Sequence, residues 1–341
     1  MKITTRHYAY YQGQDYCEYI LENDNGMIVK LLNYGATLEQ VLLPTENGLA
    51  ENVIMSLSKP EDYSKQRNFL GGTVGRVVGR IRKGKVNLGS KTLQLPINDG
   101  NNHIHGGTGI DTMVWNAQVN LNQDAEFAQV KFTLVDFDGH NGYPGNLKIE
   151  VSYTLDNDNC LDYNIFANSD KVTVFNPTNH VYFRLDGPNS DIKNLQIRID
   201  ADYYLPLDDE SLPYMGMKAV SNTIFDLRKP THLGKILDSS CKEIKNEHGL
   251  NHPFILNTDK NCAKIFSSKT NRTMTMTTDA PSIVVYTANH FNHTGIAKNL
   301  GQYDGVTLEA QNPPAPDSNL NASILIPDDD FMRSTTWKFD F

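Results

Sequence analysis

The chain has 341 residues, with 31 Lys and Arg against 40 Asp and Glu, for a formal net charge of −9. This balance argues against nucleic acid as a partner, because phosphate binding needs clustered cations to displace counterions, and it suits an uncharged substrate. A hydrophobic share of 39%, with 16 Tyr and 14 Phe, supports a sizeable core and excludes a disordered chain. The opening Met1-Lys2-Ile3-Thr4-Thr5-Arg6-His7 has no apolar stretch of signal-peptide length, and no later run is long enough to span a bilayer. A soluble, cytoplasmic protein without a membrane partner is expected. Cys17, Cys160, Cys241 and Cys262 are scattered without CxxC spacing, so reduced thiols are expected rather than a disulfide framework or zinc ribbon.

Taken in chain order, the first helical signal is a short piece around Lys59 to Tyr63. Two distinctive segments follow, Gly75-Arg76-Val77-Val78-Gly79-Arg80 and Asn102-His103-Ile104-His105-Gly106-Gly107. Strand periodicity then dominates. Val130, Phe132 and Leu134 alternate, and Leu147, Ile149, Val151, Tyr153 and Leu155 share one face with Lys148, Glu150, Ser152 and Thr154 opposite, the pattern of a half-buried strand. Leu161, Tyr163 and Ile165 repeat it, as do Leu195, Ile197 and Ile199 beyond the segment Asn176-Pro177-Thr178-Asn179-His180-Val181-Tyr182-Phe183.

A second short helical piece is predicted over Thr231 to Leu237. Lys264 to Phe266 and Arg272 to Thr277 flank the turn-rich Ser267 to Asn271 and predict a hairpin. Near the end, Thr307-Leu308-Glu309-Ala310-Gln311 runs into the stiff Asn312-Pro313-Pro314-Ala315-Pro316, read as a loop bounding a site. Strands without crossover helices predict an all-β chain, either two antiparallel sheets packed face to face or a barrel. No linker, internal repeat or low-complexity tract divides it, so one domain over residues 1–341 is expected.

These segments in this order, with Asn33-Tyr34-Gly35-Ala36 near the start, Gly142-Tyr143-Pro144-Gly145-Asn146-Leu147 in the middle and Thr335-Thr336-Trp337 at the end, resemble the aldose 1-epimerases, or galactose mutarotases. The resemblance covers nearly the whole chain. It implies a large antiparallel β-sandwich of the galactose mutarotase type with its active site in an open cleft. It also implies interconversion of the α and β anomers of galactose or glucose by general acid/base ring opening and closure, with no cofactor. The partner expected is therefore a small aldose, and a homodimer is compatible with the sequence.

Carried over residue by residue, the resemblance makes Glu309 the base for the C1 hydroxyl, His180 the acid for the ring oxygen, and His105 the second histidine that steadies charge there. Arg80, Tyr182 and Asn251 become substrate-binding residues. The residue chemistry fits. Histidine titrates near neutrality without a large shift, and strand alternation would set Thr307 and Glu309 opposite Val306 and Leu308. Arg76, Arg82 and Lys83 are read as solvated or structural, and Asp226 and Arg228 as fixing a loop.

Four positions depart from the family pattern. Gly79 stands where Asn is frequent, Asn251 where Asp is usual, Arg184 where Asn follows the Tyr-Phe pair, and Val284 where some members carry Gln. Asn251 keeps the shape of aspartate and loses its charge, which predicts weaker hydroxyl binding. The two-residue spacing of His103 and His105 would point both imidazoles the same way and raises a metal site. No carboxylate or cysteine at ligand spacing accompanies them, so none is expected. His248, His252, His290 and His293 are read as exposed loop histidines.

Two other functions compete. A β-sandwich lyase or glycoside hydrolase would need paired carboxylates or a tyrosine base, and no second carboxylate is as well placed as Glu309. A non-catalytic sugar-binding module would need neither His180 nor Glu309 as a proton-transfer pair.

Overall fold

The structure, a computed structural model, describes residues 1–124 and 126–341. Among these residues lie a nine-stranded, a six-stranded and a five-stranded sheet with four two-stranded ones. The α-helices found among them are short, Leu233–Leu237 and Lys242–Asn246. No helix of the described residues is long and apolar enough to cross a membrane.

The alternating stretches form the nine-stranded sheet. Phe127–Asp136, Leu147–Asp156 and Cys160–Ser169 are successive antiparallel neighbours, and the last pairs with the C-terminal strand Phe331–Asp340. That strand also pairs with Thr273–Thr278, so the end of the chain closes the sheet between an early and a late segment. Leu147, Ile149, Val151, Tyr153 and Leu155 are all buried. Removing each such side chain from water contributes about 1.5–3 kcal/mol, which is why the alternation fixes which face turns inward.

The six-stranded sheet packs across that inner face. Phe183 meets Trp337 with ring centroids 6.1 Å apart and Phe339 at 6.4 Å, and Tyr163 stacks on Trp337 at 5.8 Å. The two sheets therefore make a sandwich, and the barrel alternative falls. The N-terminal five-stranded sheet, from Lys2–Tyr11 to Ala50–Asn52, joins the same core through Tyr19 against Phe132 at 5.7 Å.

The expected hairpin forms from Ala263–Phe266 and Thr273–Thr278. The first helical signal is a 3-10 turn, Pro60–Asp62, and the second divides into the strand Thr231–His232 and the helix Leu233–Leu237. Arg76 is structural and buried. It pairs with Asp136 at 2.5 Å and donates to the carbonyls of Pro144 at 2.8 Å and Gly145 at 2.9 Å, which satisfies the charge that burial would otherwise strand. Arg228 likewise fixes its loop through Asp226 and Asp202, both at 2.8 Å.

Candidate active site

The six-stranded sheet supplies the floor of a cleft of about 490 Å³. Its register aligns Tyr182 with Thr307, Thr307 with Tyr286, and Tyr286 with Asn251. One pleat along, Glu309 stands opposite Val284 and Val284 opposite Pro253. Residues opposite one another share a face, so Tyr182, Glu309, Val284, Tyr286 and Asn251 all line the cleft. Leu308, Ala310, Ile283 and Val285 on the other face belong to the core. The strand Val306–Gln311 is buried on both faces.

Glu309 and His180 face each other there. His180 Nε2 lies 3.4 Å from Glu309 Oε1, and both side chains are about nineteen-twentieths buried. Thr307 donates its hydroxyl to the same Oε1 at 3.1 Å. His180 follows the strand Thr178–Asn179, which pairs with Thr73–Val74, and its backbone N–H donates to Gly72 at 3.0 Å. His180 Nδ1 and Gln311 Oε1 are buried with no hydrogen-bond partner among the described residues.

His105 forms the opposite wall. The strand His103–Ile104 ends before it, and its φ of 50° turns the side chain into the cleft. The backbone N–H of Gly79 donates to His105 Nδ1 at 3.2 Å, so a neutral ring carries its proton on Nε2. Burial, then the positive neighbours His180, Arg67 and Arg80, hold the imidazole well below its ordinary range. His105 is thus a neutral hydrogen-bond donor, while His180 is the histidine that faces a carboxylate.

Arg67 locks the His105 turn from behind. It donates to the His105 carbonyl at 2.7 Å and to the Gly107 carbonyl, and grips Asp111 with two nitrogens at 2.7 and 2.5 Å. Its guanidinium lies 4.4 Å from the Phe69 ring centroid, and that ring packs on His105 at 4.8 Å and His180 at 5.9 Å. Gly106 admits no side chain here, since a Cβ would lie 1.9 Å from the Gly75 carbonyl oxygen.

The three expected sugar-binding residues reach the same cleft. Arg80 gives its Nε to Asp99 at 2.7 Å, which orients the guanidinium and leaves its other nitrogens for a ligand. Tyr182 is buried beside His180, with rings 5.1 Å apart. Burial, then Tyr286 and Glu309, push its phenol well above the ordinary range, so it stays neutral. Asn251 donates its Nδ2 to Glu247 Oε2 at 2.8 Å. Of the other departures, Gly79 and Val284 line the cleft, whereas Arg184 turns its Nε to the Ile54 carbonyl at 2.9 Å in the protein interior. Pro314 bounds the cleft as the proline-rich loop predicted.

Two histidine readings change. His103 does not share a direction with His105, because the strand breaks between them. Its Nδ1 donates to the Pro96 carbonyl at 2.7 Å and its Nε2 accepts from the Tyr143 hydroxyl at 2.8 Å, so both nitrogens are committed to the fold. His252 is a fully buried strand residue rather than an exposed loop one. Burial alone pushes its imidazole down to about 3, so it packs as a neutral ring against Phe225 at 4.6 Å.

Arg67, Phe69, Tyr286, Gln311 and Glu247 escaped the sequence reading. Gln311 carried a signal, standing two residues beyond Glu309 on the same strand face. Arg67 and Phe69 reach His105, and Tyr286 reaches Tyr182, far away in sequence, while Glu247, four residues from Asn251, also depends on the distant Ser211.

The profile of the family described as aldose 1-epimerase matches residues 18–337. A protein from Escherichia coli K12 named aldose 1-epimerase is 32% identical over 340 residues, covering 96% of each chain. A galactose mutarotase from Mus musculus is 35% identical over 321 residues, covering 91% of this chain and 90% of the relative. Among solved structures, a galactose 1-epimerase from Lactobacillus acidophilus NCFM superposes with a TM-score of 0.94 at 50% identity, covering 99% of this chain and 98% of the other.

Proposed function

Since the chain belongs to the aldose 1-epimerase family, an isomerase family that interconverts the anomers of free sugars, we propose that Glu309 and His180 carry the proton transfers of that reaction on galactose or glucose. The observation that carries this reading is the 3.4 Å approach of His180 Nε2 to Glu309 Oε1 inside a sugar-sized cleft. Ring opening needs a base at the C1 hydroxyl and an acid at the ring oxygen. Glu309 removes the proton of the C1 hydroxyl as His180 protonates the ring oxygen, and the C1–ring-oxygen bond breaks to give the open aldehyde. Rotation about C1–C2 presents the other face. The ring hydroxyl attacks C1, returns its proton to His180, and the new C1 oxygen takes back the proton held by Glu309. Both groups end as they began, so no external acid or base is consumed.

His105 supports the step without supplying a proton. As a neutral donor through Nε2, it hydrogen-bonds the ring oxygen or a neighbouring hydroxyl where charge develops, the kind of preorganised donor that stabilises a transition state. Arg80, Tyr182 and Asn251 hold the remaining hydroxyls. A hydrolase using Glu309 with Asp99 is disfavoured, because Asp99 is already engaged by Arg80. The reading extends to a cytoplasmic enzyme of hexose metabolism whose partner is a free aldose. Polarimetry of freshly dissolved α-galactose and α-glucose tests it. Equilibration accelerated well beyond the buffer rate is the expected result, and an unchanged rate for both sugars overturns it.

A further inference from the structure

Glu247 is a buried carboxylate that the proton transfers do not use. It immediately follows the helix Lys242–Asn246 as its C-cap, is 8% exposed, and enters no ion pair among the described residues. Its oxygens are held by neutral donors instead. Ser211 directs its hydroxyl at Oε1 and Oε2 at 3.1 and 2.9 Å, and Asn251 gives its Nδ2 to Oε2 at 2.8 Å. Ser211 and Asn251 both line the cleft.

A carboxylate only accepts hydrogen bonds, so it selects the NH₂ end of the Asn251 amide and turns Oδ1 away from itself. No hydrogen bond within the described residues engages that Oδ1. We infer that Glu247 is a positioning and specificity-determining residue: it fixes Asn251 as an oxygen acceptor backed by a negative charge, for a sugar hydroxyl remote from the anomeric carbon. The charge absent from position 251 is supplied one side chain behind it. The ligand class follows. This end of the cleft takes a free, donating hydroxyl and disfavours an aldose bearing a phosphate there, because an anion would meet both Oδ1 and the carboxylate.

The inference rests on the sugar-binding reading of Asn251, and it changes what an aspartate at that position would do. With Glu247 in place, Asn251→Asp sets two carboxylates at hydrogen-bond distance, and like charges so close resist joint ionisation.

The test measures kcat and KM for galactose and glucose at pH 7.5 in the wild type, Glu247→Gln, Asn251→Asp and the double variant. For the better substrate, each single change is expected to raise KM by about fivefold or more with kcat within about twofold, the split of an interaction that binds without joining the chemical step. The double variant, with one carboxylate now at 251, is expected to return KM to within about twofold of the wild type. A merely structural Glu247 would give additive losses instead. Where Glu247→Gln does not fold alone, Asn251→Asp against the wild type decides, and an equal or lower KM overturns the inference. So does an unchanged KM in Glu247→Gln. Failure of the wild type to accelerate either sugar would instead overturn the proposed function, so the two are separable.

Discussion

The cleft and the N-terminal sheet each bury a glutamate almost completely, in opposite settings. Glu309 in the cleft is 4% exposed and Glu39 in the N-terminal sheet is 2% exposed. Glu309 faces the His180 imidazole, a group able to exchange a proton, in a cavity open to a ligand. Glu39 faces a second carboxylate, Glu18, itself only 1% exposed. Arg6 at 2.9 Å and Lys30 at 3.9 Å balance Glu18, and Glu39 Oε2 has no partner among the described residues. Burial, then the hydrogen bond and charge of Glu18, push the Glu39 carboxyl up to about 8. The comparison teaches that burial alone does not make a carboxylate reactive. Its partner and its access to substrate decide.

The most direct way to break the comparison is to remove the proposed proton-transfer pair. Glu309→Gln and His180→Asn are each expected to lower kcat by at least about 100-fold with modest change in KM, because shape is nearly kept while transfer is lost. The double variant should fall far short of the product of the two losses. Full activity in either single variant removes that residue from the mechanism.

The next largest effect sharpens the other half. The unfolded Glu39 carboxyl loses its proton in the ordinary carboxylate range, whereas the folded one keeps it to about 8. Its contribution to stability is therefore fully present below the ordinary range and is lost as pH rises through about 8. Glu39→Gln should raise the unfolding free energy by on the order of 1–3 kcal/mol at pH 8 and by much less at pH 5, with kcat unaltered. Urea unfolding at the two pH values checks this, and an equal effect at both would show that the carboxyl pair does not hold the proton.

A smaller effect is expected where the cleft is braced rather than reactive. Arg67→Lys keeps a positive charge but loses the planar fork that joins Asp111 to two backbone carbonyls. With the His105 turn loosened, kcat/KM should drop roughly tenfold while circular dichroism stays native. Wild-type kinetics would show that Phe69 and the glycines hold the turn unaided. The smallest effect expected is none. Incubation with EDTA should leave anomer equilibration unchanged, because both nitrogens of His103 are engaged by the fold, and activity lost to chelator and restored by zinc would revive the two-histidine site.

The legibility of these regions differed for physical reasons. The strands of the nine-stranded sheet meet core on one face and solvent on the other, so Leu147 to Leu155 display their period of two openly. Val306–Gln311 is covered on both faces, and there alternation alone could not tell a cleft-facing Glu309 from a solvated one. The motif around it supplied what periodicity lacked. The helix Lys242–Asn246 was missed because its five residues, KEIKN, bury a single apolar side chain, too few for a helical period to register.

The sequence by itself determined the all-β class, the local settings of His105, His180 and Glu309, and the family, because strand periodicity and short motifs are written in neighbouring residues. Only the tertiary structure decided the electrostatics. Arg67 meets Asp111 across 44 positions and Arg76 meets Asp136 across 60. Glu247 stands only four residues from Asn251, yet its part depends on Ser211, which is 36 residues away, and on the cleft beyond. Whether a carboxylate keeps its proton, orients an amide or faces an imidazole depends on side-chain approaches such as the 2.8 Å between Asn251 and Glu247 and the 3.4 Å between His180 and Glu309. Those distances exist only once the sheets have packed.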